Sequence, residues 1–154
     1  MDFERQQANP ATSVPQTIQQ RVRKYDLEDR LLEFAATVID VSEKLPNTRT
    51  GNHVAGQFLR AGTSPYGNHG EAQAPESAED FIHKMKICLK ELRETRRWAR
   101  LIVRQRWLGN DSKFAFVLTE GEELVRIFNA SIQTAERNKA AKRRSVNNEV
   151  DRFQ

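Results

Sequence analysis

The sequence predicts an all-α protein, an antiparallel up-down four-helix bundle, and three observations carry that reading. Long stretches place apolar residues at alternating steps of three and four, which gathers them on one face of a 3.6-residue helix. Capping and helix-ending residues separate these stretches by short loops, so neighbouring helices must run antiparallel. A 38% apolar and 30% charged composition suits amphipathic helices with wide solvent faces, and 154 residues suffice for one domain with a single core.

Residues 1–24 hold Pro10 and Pro15 among Gln, Ala, Ser, Thr and Asn, with little apolar content to bury. They read as a flexible N-terminal arm ending in the basic Arg21, Arg23 and Lys24. From Leu27 the pattern becomes firm, with Leu31, Phe34, Val38, Val41 and Leu45 at helical steps. Asp26 is the expected N-cap, Glu28 and Asp29 favour the positive end of the helix dipole, and Pro46 and Asn47 end the helix.

A second helix is expected from Asn52 to Ala72, although Gly56, Gly62, Gly67 and Gly70 fall inside it. Each internal Gly costs about 1 kcal/mol relative to Ala, so four of them need a tertiary reason. Either the helix is pressed so closely against its neighbours that only small residues fit, or Ser64 and Pro65 break it into a helix and a glycine loop.

Five runs bear on that choice: Tyr25-Asp26-Leu27-Glu28-Asp29-Arg30-Leu31, Gly56-Gln57-Phe58-Leu59-Arg60-Ala61-Gly62-Thr63-Ser64-Pro65, Asn68-His69-Gly70-Glu71-Ala72, Asp80-Phe81-Ile82-His83-Lys84 and Leu89-Lys90-Glu91-Leu92-Arg93-Glu94-Thr95. In this order they resemble the bacterial four-helix-bundle proteins named for 23S ribosomal RNA intervening sequences, over about residues 25 to 135. The resemblance implies that the second helix continues through Pro65 with a kink. It also implies an antiparallel four-helix bundle, often a ring-shaped homopentamer, whose biochemical role is poorly defined and is usually discussed as RNA binding. A related protein, the accessory variability determinant of diversity-generating retroelements, also binds nucleic acid; fold alone does not settle function.

The third helix starts at Ser77 as N-cap, with Asp80 three positions on in a capping-box arrangement. Its core line is Phe81, Met85, Cys88, Leu92, Thr95, Ala99 and Ile102, and it is expected to end near Leu108 before the turn Gly109-Asn110-Asp111. Asp111 caps the fourth helix, expected over Ser112 to Asn138, with Phe114, Val117, Gly121, Leu124, Phe128, Ser131 and Ala135 on its core line. The bundle thus spans 25–138. Residues 139–154 read as a basic and polar C-terminal tail that frays, continuing the cluster Arg137, Lys139, Lys142, Arg143 and Arg144.

The charge is uneven. Its net value is only +4, yet residues 84–106 hold nine Lys or Arg against two Glu. On the third helix Lys86, Lys90, Arg93, Arg97, Arg100 and Arg104 form one turn-spaced stripe away from the core, a candidate nucleic-acid-binding surface. Lys and Arg often cover a solvent face for solubility alone. Three features lift this stripe above that background: it holds no acidic residue, Arg outnumbers Lys four to two, and Trp98 and Trp107 lie close by. Guanidinium forks suit phosphate oxygens and aromatic rings can stack on unpaired bases. Nothing in the arrangement reads base sequence, so the expected contacts are to phosphates, with affinity falling as salt rises. Beside the stripe, Ile87, Trp98 and Leu101 make a second apolar line, with Glu91 and Glu94 among them, that reads as an oligomer interface.

Other chemistries are poorly served. A di-metal bundle needs paired Glu-x-x-His motifs, and the nearest pattern is a lone Asp80-Phe81-Ile82-His83; no metal or cofactor is expected. His53, His69 and His83 are well separated and read as surface or capping residues. Cys88 lacks a base on its own face and reads as core filling in a reducing compartment. Asn68 and Glu71 are best read as partners for nearby backbone or for an arginine. There is no phosphate-loop motif, secretion signal or run of eighteen apolar residues. The sequence therefore points to a cytoplasmic, non-enzymatic homo-oligomer binding RNA or single-stranded nucleic acid through the third helix. The alternative is a scaffold or adaptor whose positive face meets an acidic protein partner.

Overall fold

The computed structural model of the chain describes the backbone of residues 16–151 and the side chains of residues 27–147. Four helices make up the described fold: α1 Gln16–Ser42, α2 Arg49–Ala72, α3 Ala78–Gln105 and α4 Ser112–Asp151. Each packs on the next and α4 returns to α1, while α1 and α3 lie diagonally across the bundle without backbone contact. The connections 43–48, 73–77 and 106–111 are short, which makes neighbours antiparallel and α1 parallel to α3.

The core follows the apolar steps. Leu31, Phe34, Val38 and Val41 are buried along α1 and Leu45 in the connection that follows, as are Met85, Cys88, Leu92, Ala99 and Ile102 along α3. Phe114, Val117, Leu124 and Phe128 close the interior from α4. Thr95 sits among them because its hydroxyl donates to the carbonyl of Glu91 at 2.8 Å, so no polar group is stranded.

The second helix is unbroken through Pro65. A proline inside a helix costs about 3 kcal/mol through its missing N–H. Here its ring is buried against the core and its carbonyl accepts from the Cys88 thiol at 3.6 Å. The glycines divide. A Cβ on Gly62 would come within 2.6 Å of Val38 Cγ1, and one on Gly51 would meet the carbonyl oxygen of Pro46, so both positions are set by close approach. Gly56, Gly67 and Gly70 face open space, and packing within the chain does not explain them.

Helix boundaries differ from the sequence expectation: α1 ends at Ser42, before Pro46, and α2 starts at Arg49, before Asn52. Helix α1 begins at Gln16, so residues 16–24 of the expected arm are helical and Asp26 lies inside the helix instead of capping it. Residues 1–15 lie outside the described residues, as do the side chains of Arg21, Arg23 and Lys24. No Gly or Pro occurs between Pro15 and Pro46, so nothing in the chain stops the helix at Leu27. Helix α3 stops at Gln105, where Arg106 takes the left-handed conformation at φ 57°. Helix α4 continues through residues 139–151 to Asp151, because the Ala, Lys and Arg there are good helix formers and neither Gly nor Pro follows Gly121.

The other two expected caps, Ser77 and Asp111, are present. The Ser77 hydroxyl accepts from Asp80 N–H at 3.0 Å, while the Asp80 carboxylate reaches back to Glu76 N–H at 3.1 Å. Asp111 Oδ1 accepts from Phe114 N–H at 2.9 Å and its other oxygen takes Lys44 Nζ at 2.6 Å, tying the end of α1 to the start of α4. Arg30 forks onto Glu120 at 2.6 and 3.0 Å, holding α1 to α4 midway along the bundle.

Candidate nucleic-acid interface

Lys86, Lys90, Arg93, Arg97, Arg100 and Arg104 are all exposed along the outer side of α3, because the opposite side of the same helix is buried from Met85 to Ile102. Two of the six are engaged. Lys86 pairs with Glu136 of α4 at 2.6 Å, and Arg93 donates to Asn129 Oδ1 at 3.2 Å. Lys90, Arg97, Arg100 and Arg104 have no ion-pair or hydrogen-bond partner among the described residues. A groove runs between α3 and α4 with Leu89 and Ile132 in its floor, the cations from Lys86 to Arg100 on one wall, and Asn129, Gln133 and Glu136 on the other. The cations along this wall can hold successive anionic groups as point charges and guanidinium forks.

The carboxylates of α3 are turned elsewhere. Glu91 is buried and pairs with Arg60 of α2 at 3.4 Å; Glu94 pairs with the same guanidinium at 2.5 Å. Glu91 is thus turned toward α2, while half-buried Glu94, held by Arg60, still lines the groove among the cations. Arg96 faces the other way and pairs with Glu122 of α4.

The line Ile87, Trp98 and Leu101 does not form one exposed patch. Ile87 and Trp98 are half-buried. Trp98 meets the ring of His53 of α2 edge-on, centroids 6.1 Å apart, and its Nε1–H donates to Glu94 at 3.4 Å, which places it in the α2–α3 seam. Trp107 is half-buried against the core. Leu101 alone of the three is exposed, at 38%, and it lies with Val103, Arg97, Arg100 and Arg104 around one shallow hollow. Sequence reasoning passed over Val103 and also Leu32 and Ile39 on α1, exposed at 48% and 46%. The signal for the α1 pair was present: Leu32, Ala36 and Ile39 step by four and three off the core line.

A second positive region lies on α4. Lys139 reaches Glu79 at the start of α3 at 2.7 Å, and its ammonium holds the Glu79 carboxyl below the usual range. Lys142, Arg143 and Arg144 follow, exposed, on the part of the helix that extends past the start of α3. They share an end of the bundle with Lys86 and Lys90.

The remaining candidates are structural. Cys88 is buried, and desolvation pushes its thiol up to about 12, which removes it as a nucleophile. His53 and His83 are exposed, but His69 is buried against Phe128 with its Nε2 2.9 Å from Gln73 Nε2, contrary to the surface role expected for it. Its place follows from the buried steps Ala61, Pro65, His69 and Ala72 on α2. Asn68 donates to Ser64 within its own helix, at 3.0 Å to the carbonyl and 2.9 Å to the hydroxyl. No group of three or more His, Cys, Asp or Glu among the described residues is arranged to hold a metal ion. No described helix is long and apolar enough to cross a membrane.

Comparison with known proteins finds a family model and solved structures that the chain resembles. A family model described as 23S rRNA-intervening sequence protein matches residues 23–130. A solved structure from Bacteroides thetaiotaomicron VPI-5482, a protein with unknown function from the S23 ribosomal protein family, is 30% identical; the match covers 69% of this chain and 97% of that one, with a TM-score of 0.63. No curated protein matches.

Proposed function

Since the chain belongs to the family of 23S rRNA-intervening sequence proteins, we propose that it is a non-enzymatic homo-oligomer that binds RNA or single-stranded nucleic acid through the basic face of α3. The observation that carries this reading is the row of exposed cations Lys86, Lys90 and Arg93 along the α3 wall of the groove, with Glu91 and Glu94 of the same helix held by Arg60 of α2. The contacts are to phosphates. They begin at the groove wall formed by Lys86, Lys90 and Arg93 and extend toward Lys142 and Arg143 at the same end of the bundle. The family description, which names a ribosomal RNA element, supports RNA over DNA.

The test is fluorescence anisotropy of labelled single-stranded RNA, duplex RNA and DNA across a salt series, with wild type and a Lys90→Gln, Arg93→Gln variant of confirmed mass. Wild type is expected to bind single-stranded RNA with a steep salt dependence. Losing two phosphate contacts should lower the slope of log K against log salt by about 1 to 1.5. Absence of binding by wild type at low salt contradicts the proposal and turns the search to an acidic protein partner for the same face.

A further inference from the structure

The outer faces of the diagonal helices α1 and α3 carry opposite charge at the same height in the bundle. Leu32 and Ile39 of α1 stand in solvent among Asp29, Glu33 and, in the turn that follows the helix, Glu43, all exposed and without an ion-pair partner among the described residues. No Lys or Arg occurs from Leu31 to Glu43. By wheel arithmetic these five positions fall within about 120°, directly opposite the core line. Asp40, on the same face, is held by Lys113. On α3, Leu101 and Val103 stand in solvent among Arg97, Arg100 and Arg104. The heights follow from the ion pairs: Arg30 joins Glu120, and Glu122, two residues on, joins Arg96. Lys44 joins Asp111 in the turn that follows α3. The α1 segment 30–44 is therefore level with the end of α3 from Arg96 onward.

We propose that the α1 face of one copy docks on the α3 face of a second copy, with Leu32 and Ile39 against Leu101 and Val103 and the carboxylates against the three guanidinium groups. This names the interface of the homo-oligomer proposed above and rests on that part of the reading. Charge complementarity selects a second copy as occupant, because each chain carries both halves of the match. The contact is head-to-tail. Since its halves share one height and α1 runs parallel to α3, successive copies stand side by side without rise. The contact occupies the Leu101 end of the basic stripe and leaves Lys86, Lys90 and Arg93 open to phosphates.

Sedimentation of nucleic-acid-free protein tests this, with circular dichroism as the check on folding. Wild type is expected at a multiple of the 17.8 kDa chain mass. Glu33→Arg with Glu43→Arg, and Arg100→Glu with Arg104→Glu, should each fall toward the monomer. All four changes in one chain exchange the signs of the two faces and should restore the wild-type mass. A milder pair, Glu33→Gln with Glu43→Gln, avoids any charge clash and should raise the concentration of half-dissociation about tenfold. A monomeric wild type, a reversed or neutralised α1 face with unchanged assembly, or a fourfold variant that stays monomeric overturns the proposal. None of these results touches the RNA affinity lost by Lys90→Gln, Arg93→Gln at constant mass, so the two readings fail separately.

Discussion

Gly62 and Gly67 sit in one helix and are glycine for different reasons. Gly62 lets α2 approach Val38 of α1 so closely that a methyl group would overlap both Val38 methyls, whereas the Cβ position of Gly67 meets nothing. Gly62→Ala is therefore expected to destabilise the fold by about 1–3 kcal/mol through overpacking. Gly67→Ala should stabilise it by about 0.5–1 kcal/mol through helix propensity. Urea titration of both variants checks the pair; a neutral Gly62→Ala would deny the close approach. The sequence made the cost of both glycines visible, but not which of them had a neighbour, since that depends on where α1 lies. Cys88 was easier to place, because it falls on an unbroken apolar step between Met85 and Leu92. His69 was harder: its neighbours at helical spacing are Pro65 and Ala72, too small to mark a core line by hydrophobicity alone.

At the scale of elements, the caps Ser77 and Asp111 were legible, while Thr48, which caps α2, went unread and Asp26 lies inside α1. Ser77 and Asp111 each accept the backbone N–H three residues on, as their types and positions predict. The start of α1 and the end of α4 have no such punctuation, and both helices run further than their apolar patterns because nothing interrupts them. Asp111 makes a pH prediction. The Lys44 ammonium and then the Phe114 N–H hold its carboxyl below the ordinary carboxylate range, so the folded state favours the ionised form. That contribution is present above the unfolded value near about 4 and is lost as pH falls through the lower folded value. Asp111→Asn should thus lower the thermal midpoint at neutral pH and show a shallower further loss on acidification than wild type. Parallel acid limbs for the two proteins would show that Asp111 contributes nothing to this dependence.

For the molecule as a whole, the bundle has a sidedness that its net charge of +4 conceals. The acidic outer face of α1 from Asp29 to Asp40 and the basic face of α3 look outward from diagonal positions, and the α4 overhang adds further cations at the end that carries Lys86 and Lys90. The basic stripe was readable because helical stepping alone fixes it. Its carboxylate neighbours were not, since only the packing of α2 shows that Arg60 draws Glu91 and Glu94 away from it. The line Ile87, Trp98 and Leu101 shows the same limit, as two of its members are half-buried and Trp98 belongs to the α2–α3 seam.

The central claim, that the groove side of α3 receives phosphates, is tested most directly on wild-type protein by lysine acetylation footprinting with and without single-stranded RNA, read by mass spectrometry. Protection of Lys86 and Lys90, with Lys44 and Lys113 at the far end of the bundle modified at unchanged rates, is the predicted result. Equal rates at all four lysines under conditions where RNA is bound would contradict it.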